Sequence, residues 1–290
     1  MLEELQELIR TVAREVGPGV VGIGNRWGTG SGLVVAEDRV LTNAHNLRGD
    51  QVTLTFDGGR SVPAEVLGFD LDGDLAVLEA ETDGAPPIAW ASSDAPEIGR
   101  PILALANPGG RGLRVTFGLI SGTQRSFRGP RGRLIGGSLE HTAPLLPGSS
   151  GGPLVDISGG LLGINTNRMG EGFYLAIPAD ASLRERVGRL GSGESPARPR
   201  LGVGIAPAQV ARRLRRAVGL PEADGLLVRH VEPEGPAHRA GLREGDLIVE
   251  AGGRPTPSVD DLHELLDQAE GELGVKVLRG AEEVGFTVTL

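Results

Sequence analysis

The sequence predicts a mainly β chain in two domains, and three observations carry that prediction. Short apolar runs punctuated by glycine and proline recur through the first two thirds of its 290 residues, the pattern of antiparallel barrels. The stretch Gly191-Ser192-Gly193-Glu194-Ser195-Pro196-Ala197-Arg198-Pro199 is small, polar and proline-rich, which marks a linker. Beyond it a second patterned region begins, with a Ser258-capped helix at 259–268. The domains therefore read 1–190 and 200–290, with a linker at 191–199.

Each element has a local reason. Leu2, Leu5, Ile9, Val12 and Val16 recur at helical spacing, and Gly17-Pro18 stops that helix. Strand-like runs follow at 19–24, 31–35, 39–42, 52–56, 62–67 and 75–79. Further runs lie at 102–106, 114–122, 161–166 and 173–177. The stretch from Thr123 to Gly137, carrying Arg125, Arg128, Arg131 and Arg133 among glycines, reads as a mobile basic loop. Ser182 and Glu185 make a capping box for a closing helix at 183–190. After the linker, 203–205 reads as a strand. Ser258 caps a helix at 259–268 with Leu262 and Leu266 on one face. The run Arg212-Arg213-Leu214-Arg215-Arg216 reads as a solvated helix face.

Composition excludes several classes. A formal charge of −9 argues against a nucleic-acid partner. The chain has no cysteine, so disulfides, thiolate nucleophiles and cysteine-ligated zinc are absent. Asp70, Asp72 and Asp74 alternate but lack the remaining ligands of a calcium loop. Neither a metal nor another cofactor is expected. No apolar run approaches the ~20 residues of a membrane span, and Met1 to Arg14 lacks the apolar core of a signal peptide. A native Met1 would imply a cytoplasmic protein; a removed signal or anchor would imply a periplasmic or otherwise extracytoplasmic one.

The chemistry sits in three places. Pro147-Gly148-Ser149-Ser150-Gly151-Gly152-Pro153 surrounds a serine with residues that permit a sharp turn and close approach of a substrate. Leu41-Thr42-Asn43-Ala44-His45 puts a histidine after a strand. Asp72-Gly73-Asp74-Leu75-Ala76-Val77-Leu78 puts an aspartate at the mouth of another. A serine hydroxyl needs a base to attack, and the base needs an orienting carboxylate. The order His45, Asp74, Ser150 is that of the chymotrypsin architecture. Asp70 and Asp72 are rival carboxylates, and Asp74 is preferred because it abuts the apolar run. Ser149 is a rival nucleophile, but Gly-x-Ser-Gly-Gly selects Ser150. The N–H groups of Gly148 and Ser150 would form an oxyanion hole.

These motifs resemble the HtrA/Deg family of serine proteases. The likeness extends to Gly28-Thr29-Gly30-Ser31-Gly32, Asn107-Pro108-Gly109, Leu162-Gly163-Ile164-Asn165-Thr166 and Ala176-Ile177-Pro178. In the second domain it covers Leu201-Gly202-Val203-Gly204-Ile205, Gly225-Leu226-Leu227-Val228, Pro236 to Leu242 and Gly245-Asp246-Leu247-Ile248. The resemblance implies a chymotrypsin-like double β-barrel with an N-terminal helix, followed by a small α+β PDZ domain. It implies an endopeptidase acting on misfolded or exposed polypeptide, with C-terminal peptides bound by Leu201, Gly202, Val203, Gly204 and Ile205 against Leu262 and Leu266. It also implies a homotrimer, although the aromatic residues often seen at that N-terminal interface are missing from 1–26. The chain departs from the family at Asn46, at Ser149 and at His141-Thr142-Ala143, so a latent protease serving as a peptide-binding chaperone or adaptor is the alternative. Pro144 would floor an S1 pocket walled by Leu145, Ile164, Asn165 and Thr166. With no acid at its floor, that pocket favours small or medium aliphatic side chains over Lys or Arg.

Overall fold

The computed structural model describes residues 2–25, 28–47, 51–91, 96–129, 132–168, 172–196 and 199–290. Arg131 of the basic segment and residues 197–198 of the linker lie outside them. The chain divides into two compact units, Met1–Pro196 and Ala197–Leu290.

In the first unit, helix α1 (Leu2–Val16) precedes six strands: β1 (Val20–Asn25), β2 (Gly28–Ala36), β3 (Arg39–Thr42), β4 (Gln51–Thr55), β5 (Ser61–Asp70) and β6 (Leu75–Glu79). They close a barrel in the order β1-β2-β3-β6-β5-β4. A second barrel, in the order β10-β11-β12-β9-β8-β7, contains β7 (Pro101–Ala106), β8 (Arg114–Arg128), β9 (Leu134–His141), β10 (Pro153–Asp156), β11 (Leu161–Arg168) and β12 (Tyr174–Pro178). Helix α2 (Ala181–Gly191) ends the unit. The expected double barrel with its N-terminal helix is thus the observed fold.

Each barrel has its own interior, with Val34, Leu54 and Leu78 in the first and Ile102, Ile120 and Leu154 in the second. A larger cluster joins them. Leu33, Leu41 and Val77 meet Leu105, Val155 and Leu161 there, with Val12 and Val16 of α1 and Leu183 and Val187 of α2. Burying a large aliphatic side chain contributes about 1.5–3 kcal/mol, so this cluster holds the barrels in fixed register.

Strand pairing then decides which loops converge. Thr42 on β3 lies opposite Ala76 on β6, so the segment leaving β3 meets the segment entering β6. Pro153 on β10 lies opposite Ile164 on β11, so the turn before β10 meets the far end of β11.

The second unit holds β13 (Val203–Ala206), α3 (Ala208–Ala217), β14 (Leu226–Val231), α4 (Pro236–Ala240), β15 (Leu247–Ala251), β16 (Arg254–Pro255), α5 (Val259–Gln268), β17 (Glu272–Arg279) and β18 (Glu282–Thr289). The sheet order is β13-β14-β15-β17-β18, with β16 paired to β15. Ser258 and Asp261 exchange the two hydrogen bonds of a capping box at the start of α5.

Three expectations are corrected. The segment from Thr123 to Gly137 is not a loop: β8 continues through Arg128 and β9 begins at Leu134, making a hairpin. The signal was masked because its pairing shifts register repeatedly and because β9 buries polar residues, Ser138, Glu140 and His141. Strand β10 escaped notice inside the glycine-rich motif. The cap of α2 is Asp180, whose carboxylate accepts from Leu183 N at 2.8 Å, rather than Ser182. In α3, Arg215 is buried, donating from Nε to Pro221 O at 3.0 Å and from Nη2 to Gly280 O at 3.1 Å. Arg212 and Arg216 stay exposed, paired with Asp224 and Glu222.

Replacing Arg215 by Ala strands two carbonyls and is expected to destabilise the second unit by about 2–3 kcal/mol. Arg216→Ala should cost under about 1 kcal/mol. Calorimetric melting of the two variants makes the comparison, and equal shifts would contradict it.

Candidate active site

The cleft is built around one carboxylate. Asp74 is almost fully buried and takes a left-handed φ of 54°, a conformation Asp tolerates better than most residues. Asp70 shapes the approach: its Oδ1 accepts from Asp72 N at 3.1 Å and Gly73 N at 2.8 Å. Asn43 Nδ2 then donates to the Asp74 carbonyl at 2.9 Å. The carboxylate itself accepts from His45 N at 3.1 Å, lies 2.8 Å from His45 Nδ1, and accepts from Thr166 Oγ1 at 2.9 Å. A buried anion needs such donors, because desolvation without them is costly. The acceptor on Nδ1 selects the tautomer with its proton there, which leaves Nε2 as a base. The two rival carboxylates sit elsewhere: Asp70 caps the turn, and Asp72 faces Arg133 Nε at 3.7 Å.

Ser150 lies across the same cleft as His45 and Asp74. Its loop is pinned from both barrels. Ser31 N and Asn46 Nδ2 each donate to Ser150 O at 2.9 Å. Ser31 Oγ donates to Gly148 O at 2.9 Å. Gly151 N donates to Asn165 O at 2.7 Å. Gly151 has φ +88° and a Cβ there would come within 2.0 Å of Ser31 O, so only glycine fits. Ser149 is buried, which separates it from the more open Ser150. The Ser150 hydroxyl donates to Thr166 O at 2.8 Å. Among the described residues, no hydrogen bond joins it to His45.

The residues read as an S1 pocket divide. Leu145 and Thr166 line the cleft, whereas Pro144, Ile164 and Asn165 do not. Ile164 is fully buried in the inter-barrel core. Asn165 is also fully buried, its amide donating to Gly152 O and Pro153 O at 3.1 Å each. Pro144 is exposed beside the cleft. Phe127, Leu146 and Tyr174 supply the other apolar walls. Phe127 was hidden in the unrecognised hairpin, Tyr174 is the first residue of β12, and Leu146 lies in the segment between β9 and β10. Asn46, a departure from the family pattern, ties the nucleophile loop to Thr42. Among the described residues, Asp74 is the one carboxylate on the lining.

In the second unit, Leu201, Val203, Ile205, Leu262 and Leu266 belong to one apolar cluster. Gly202 has φ +74° and its carbonyl accepts from Glu232 N at 2.9 Å. Gly204 pairs with His230. Among the described residues β13 pairs with β14 alone, leaving an open edge.

The comparisons agree with this architecture. Residues 30–164 match the trypsin-like peptidase domain and residues 227–275 the PDZ domain, which defines the class: a trypsin-like peptidase joined to a PDZ domain. A putative serine protease HhoA from Synechocystis sp. is 35% identical, over 90% of this chain and 70% of its own length. A probable periplasmic DegP-like serine endoprotease from Halomonas elongata is 33% identical, over 91% of this chain and 56% of its own. The serine endoprotease from Yersinia pestis superposes with a TM-score of 0.63 at 28% identity, over 97% of this chain and 96% of that one. The chain belongs to the HtrA/Deg family of serine proteases. It spans little more than half the length of the Halomonas relative, and no helix among the described residues is long and apolar enough to cross a membrane.

One titratable group beside the cleft is unusual. His141 is fully buried and stacks on Tyr174, ring centroids 5.8 Å apart at 28°. Among the described residues neither ring nitrogen has a partner of good hydrogen-bond geometry, Asn165 being its polar neighbour. Burial lowers its pKa from 6.5 to about 4, against a weaker opposing effect of nearby Asn165. The unfolded chain therefore binds the proton more readily than the folded one, and stability falls as pH drops from about 6.5 to about 4. The loss amounts to about 3 kcal/mol. Denaturation followed by tryptophan fluorescence should show a steeper acid decline for the wild type than for His141→Phe. Parallel curves would contradict the assignment.

Proposed function

We propose that the chain is a serine endopeptidase acting on unfolded or exposed polypeptide through an acyl-enzyme. The observation that carries this reading is the Asp74–His45 pair at 2.8 Å facing Ser150 across one cleft. Ser150 Oγ attacks the scissile carbonyl while His45 Nε2 takes its proton. The carbonyl oxygen becomes an oxyanion, received by the N–H groups of Gly148 and Ser150. His45 returns the proton to the leaving amine, and the Ser150 ester is released by water activated in the same way. Asp74 keeps the imidazole oriented and stabilises its cationic form.

The cleft walls support a preference for uncharged side chains before the scissile bond. Leu145, Leu146 and Phe127 are apolar, Arg128 on the same lining repels a cation, and the one carboxylate among the described lining residues is already committed to His45 and Thr166. A Lys or Arg side chain would find no partner there. In the second unit, the open edge of β13 beside α5 supports capture of an extended C-terminal peptide by strand addition.

The position of the Ser150 hydroxyl favours a second element of the reading, a latent resting state. Its proton is committed to Thr166 O, so attack requires the side chain to rotate toward His45. A peptide at the PDZ groove would activate the enzyme to the extent that it binds the rotated state more tightly.

Digestion of a permanently unfolded protein tests the proposal. The wild type should degrade it, more quickly with C-terminal peptides added, and cut mainly after uncharged residues. Ser150→Ala should abolish the activity. Degradation that survives Ser150→Ala, or dominant cleavage after Lys and Arg, would contradict the reading.

A further inference from the structure

The single tyrosine of the chain occupies a position that the catalytic account leaves unused. Tyr174 is the first residue of β12 and lines the cleft that holds Ser150. The residue is mostly buried, 8% exposed. Backbone pairing sets Tyr174 opposite His141 on β9, and the imidazole stacks against the phenol ring. Burial keeps that imidazole neutral near pH 7, so an uncharged plate backs the ring. Two adjacent strands and a stacked neighbour thus fix the direction of the phenol.

The hydroxyl at its tip has no protein partner among the described residues, and it is not among the polar atoms sealed in the interior. Buried tyrosines ordinarily satisfy this group. Here it is left to whatever enters the cleft. The remaining walls combine apolar Phe127, Leu145 and Leu146 with the polar Arg128 and Thr166, so the phenol hydroxyl is an uncharged polar group on a partly apolar wall. Small-molecule sites use that combination to orient a ligand: apolar contact supplies affinity, and a few polar groups choose between isosteres.

We propose that Tyr174 is a specificity-determining residue that reads a hydrogen-bonding group on the substrate side chain preceding the scissile bond. The class selected is small, uncharged and hydroxylated, so threonine is preferred over its isostere valine. The phenol can accept the threonine hydroxyl proton or donate to its oxygen. A valine methyl at the same place leaves the phenol unsatisfied, and such a penalty discriminates more sharply than a missing methylene does. This rests on the protease reading above and refines the uncharged preference argued there.

The test uses the full chain and peptides that differ at one position, Val against Thr and Ala against Ser, with kcat/KM measured for each. The wild type should favour Thr over Val by about three- to tenfold, and Ser over Ala in the same direction. Tyr174→Phe keeps the ring and its stack but removes the hydroxyl, and should bring the Thr/Val ratio to one or below. Reaction of Ser150 with a fluorophosphonate verifies that the variant's site is formed. A wild type that cleaves with Val equal to or better than Thr, or a ratio that survives Tyr174→Phe, overturns this inference while leaving the protease reading intact. A wild type that cleaves none of the peptides and is unlabelled at Ser150 overturns both.

Discussion

The site depends on the need to satisfy one buried anion. Asp74 is out of water, and a carboxylate there persists only if donors surround it. Two of its donors, His45 N and Nδ1, come from the turn after β3. The third, Thr166 Oγ1, comes from β11 in the other barrel. The charge therefore links the barrels at the place where their loops meet. The inter-barrel core brings those loops within reach, and the carboxylate fixes their final geometry. Removing any donor would disturb the histidine and the barrel contact together.

Ser150, the proposed nucleophile, is governed by a complementary restraint. Its loop is held through Ser31, Asn46 and Asn165, and the tight approach of Gly151 to Ser31 O leaves no room for a side chain. This fixes the backbone, and in the proposed latent state the remaining freedom is rotation of the Ser150 side chain from Thr166 O toward the histidine. A rigid frame with a single soft torsion is a suitable basis for regulation: small differential contacts can bias a local two-position equilibrium, whereas a packed core resists continuous deformation.

Much of this was legible in the sequence, for physical reasons. Helix α1 announced itself by spacing and α5 by its Ser258 cap, and both occupy the expected residues. The order and flanks of His45, Asp74 and Ser150 reflect strand ends, which local sequence encodes well. The pocket walls were less legible because long-range pairing supplies them. Ile164 and Asn165 look accessible beside Thr166, yet one packs between barrels and the other braces the loop. Phe127 belongs to a hairpin whose arginines hide its alternation. Arg215 appeared as one charge among several, and only the fold shows that carbonyls at Pro221 and Gly280 await it. Tyr174 gave no signal, because its stacking on His141 depends on the pairing of β12 with β9.

The most direct measurement of the central claim is the rate at which a fluorophosphonate modifies Ser150 in the wild type and in folded Asp74→Asn, read by mass spectrometry. If the buried carboxylate makes His45 an effective base, Asp74→Asn should slow labelling by about a thousandfold or more, with the modification confined to Ser150 in the wild type. Equal rates in the two proteins, or labelling at Ser149, would contradict the account.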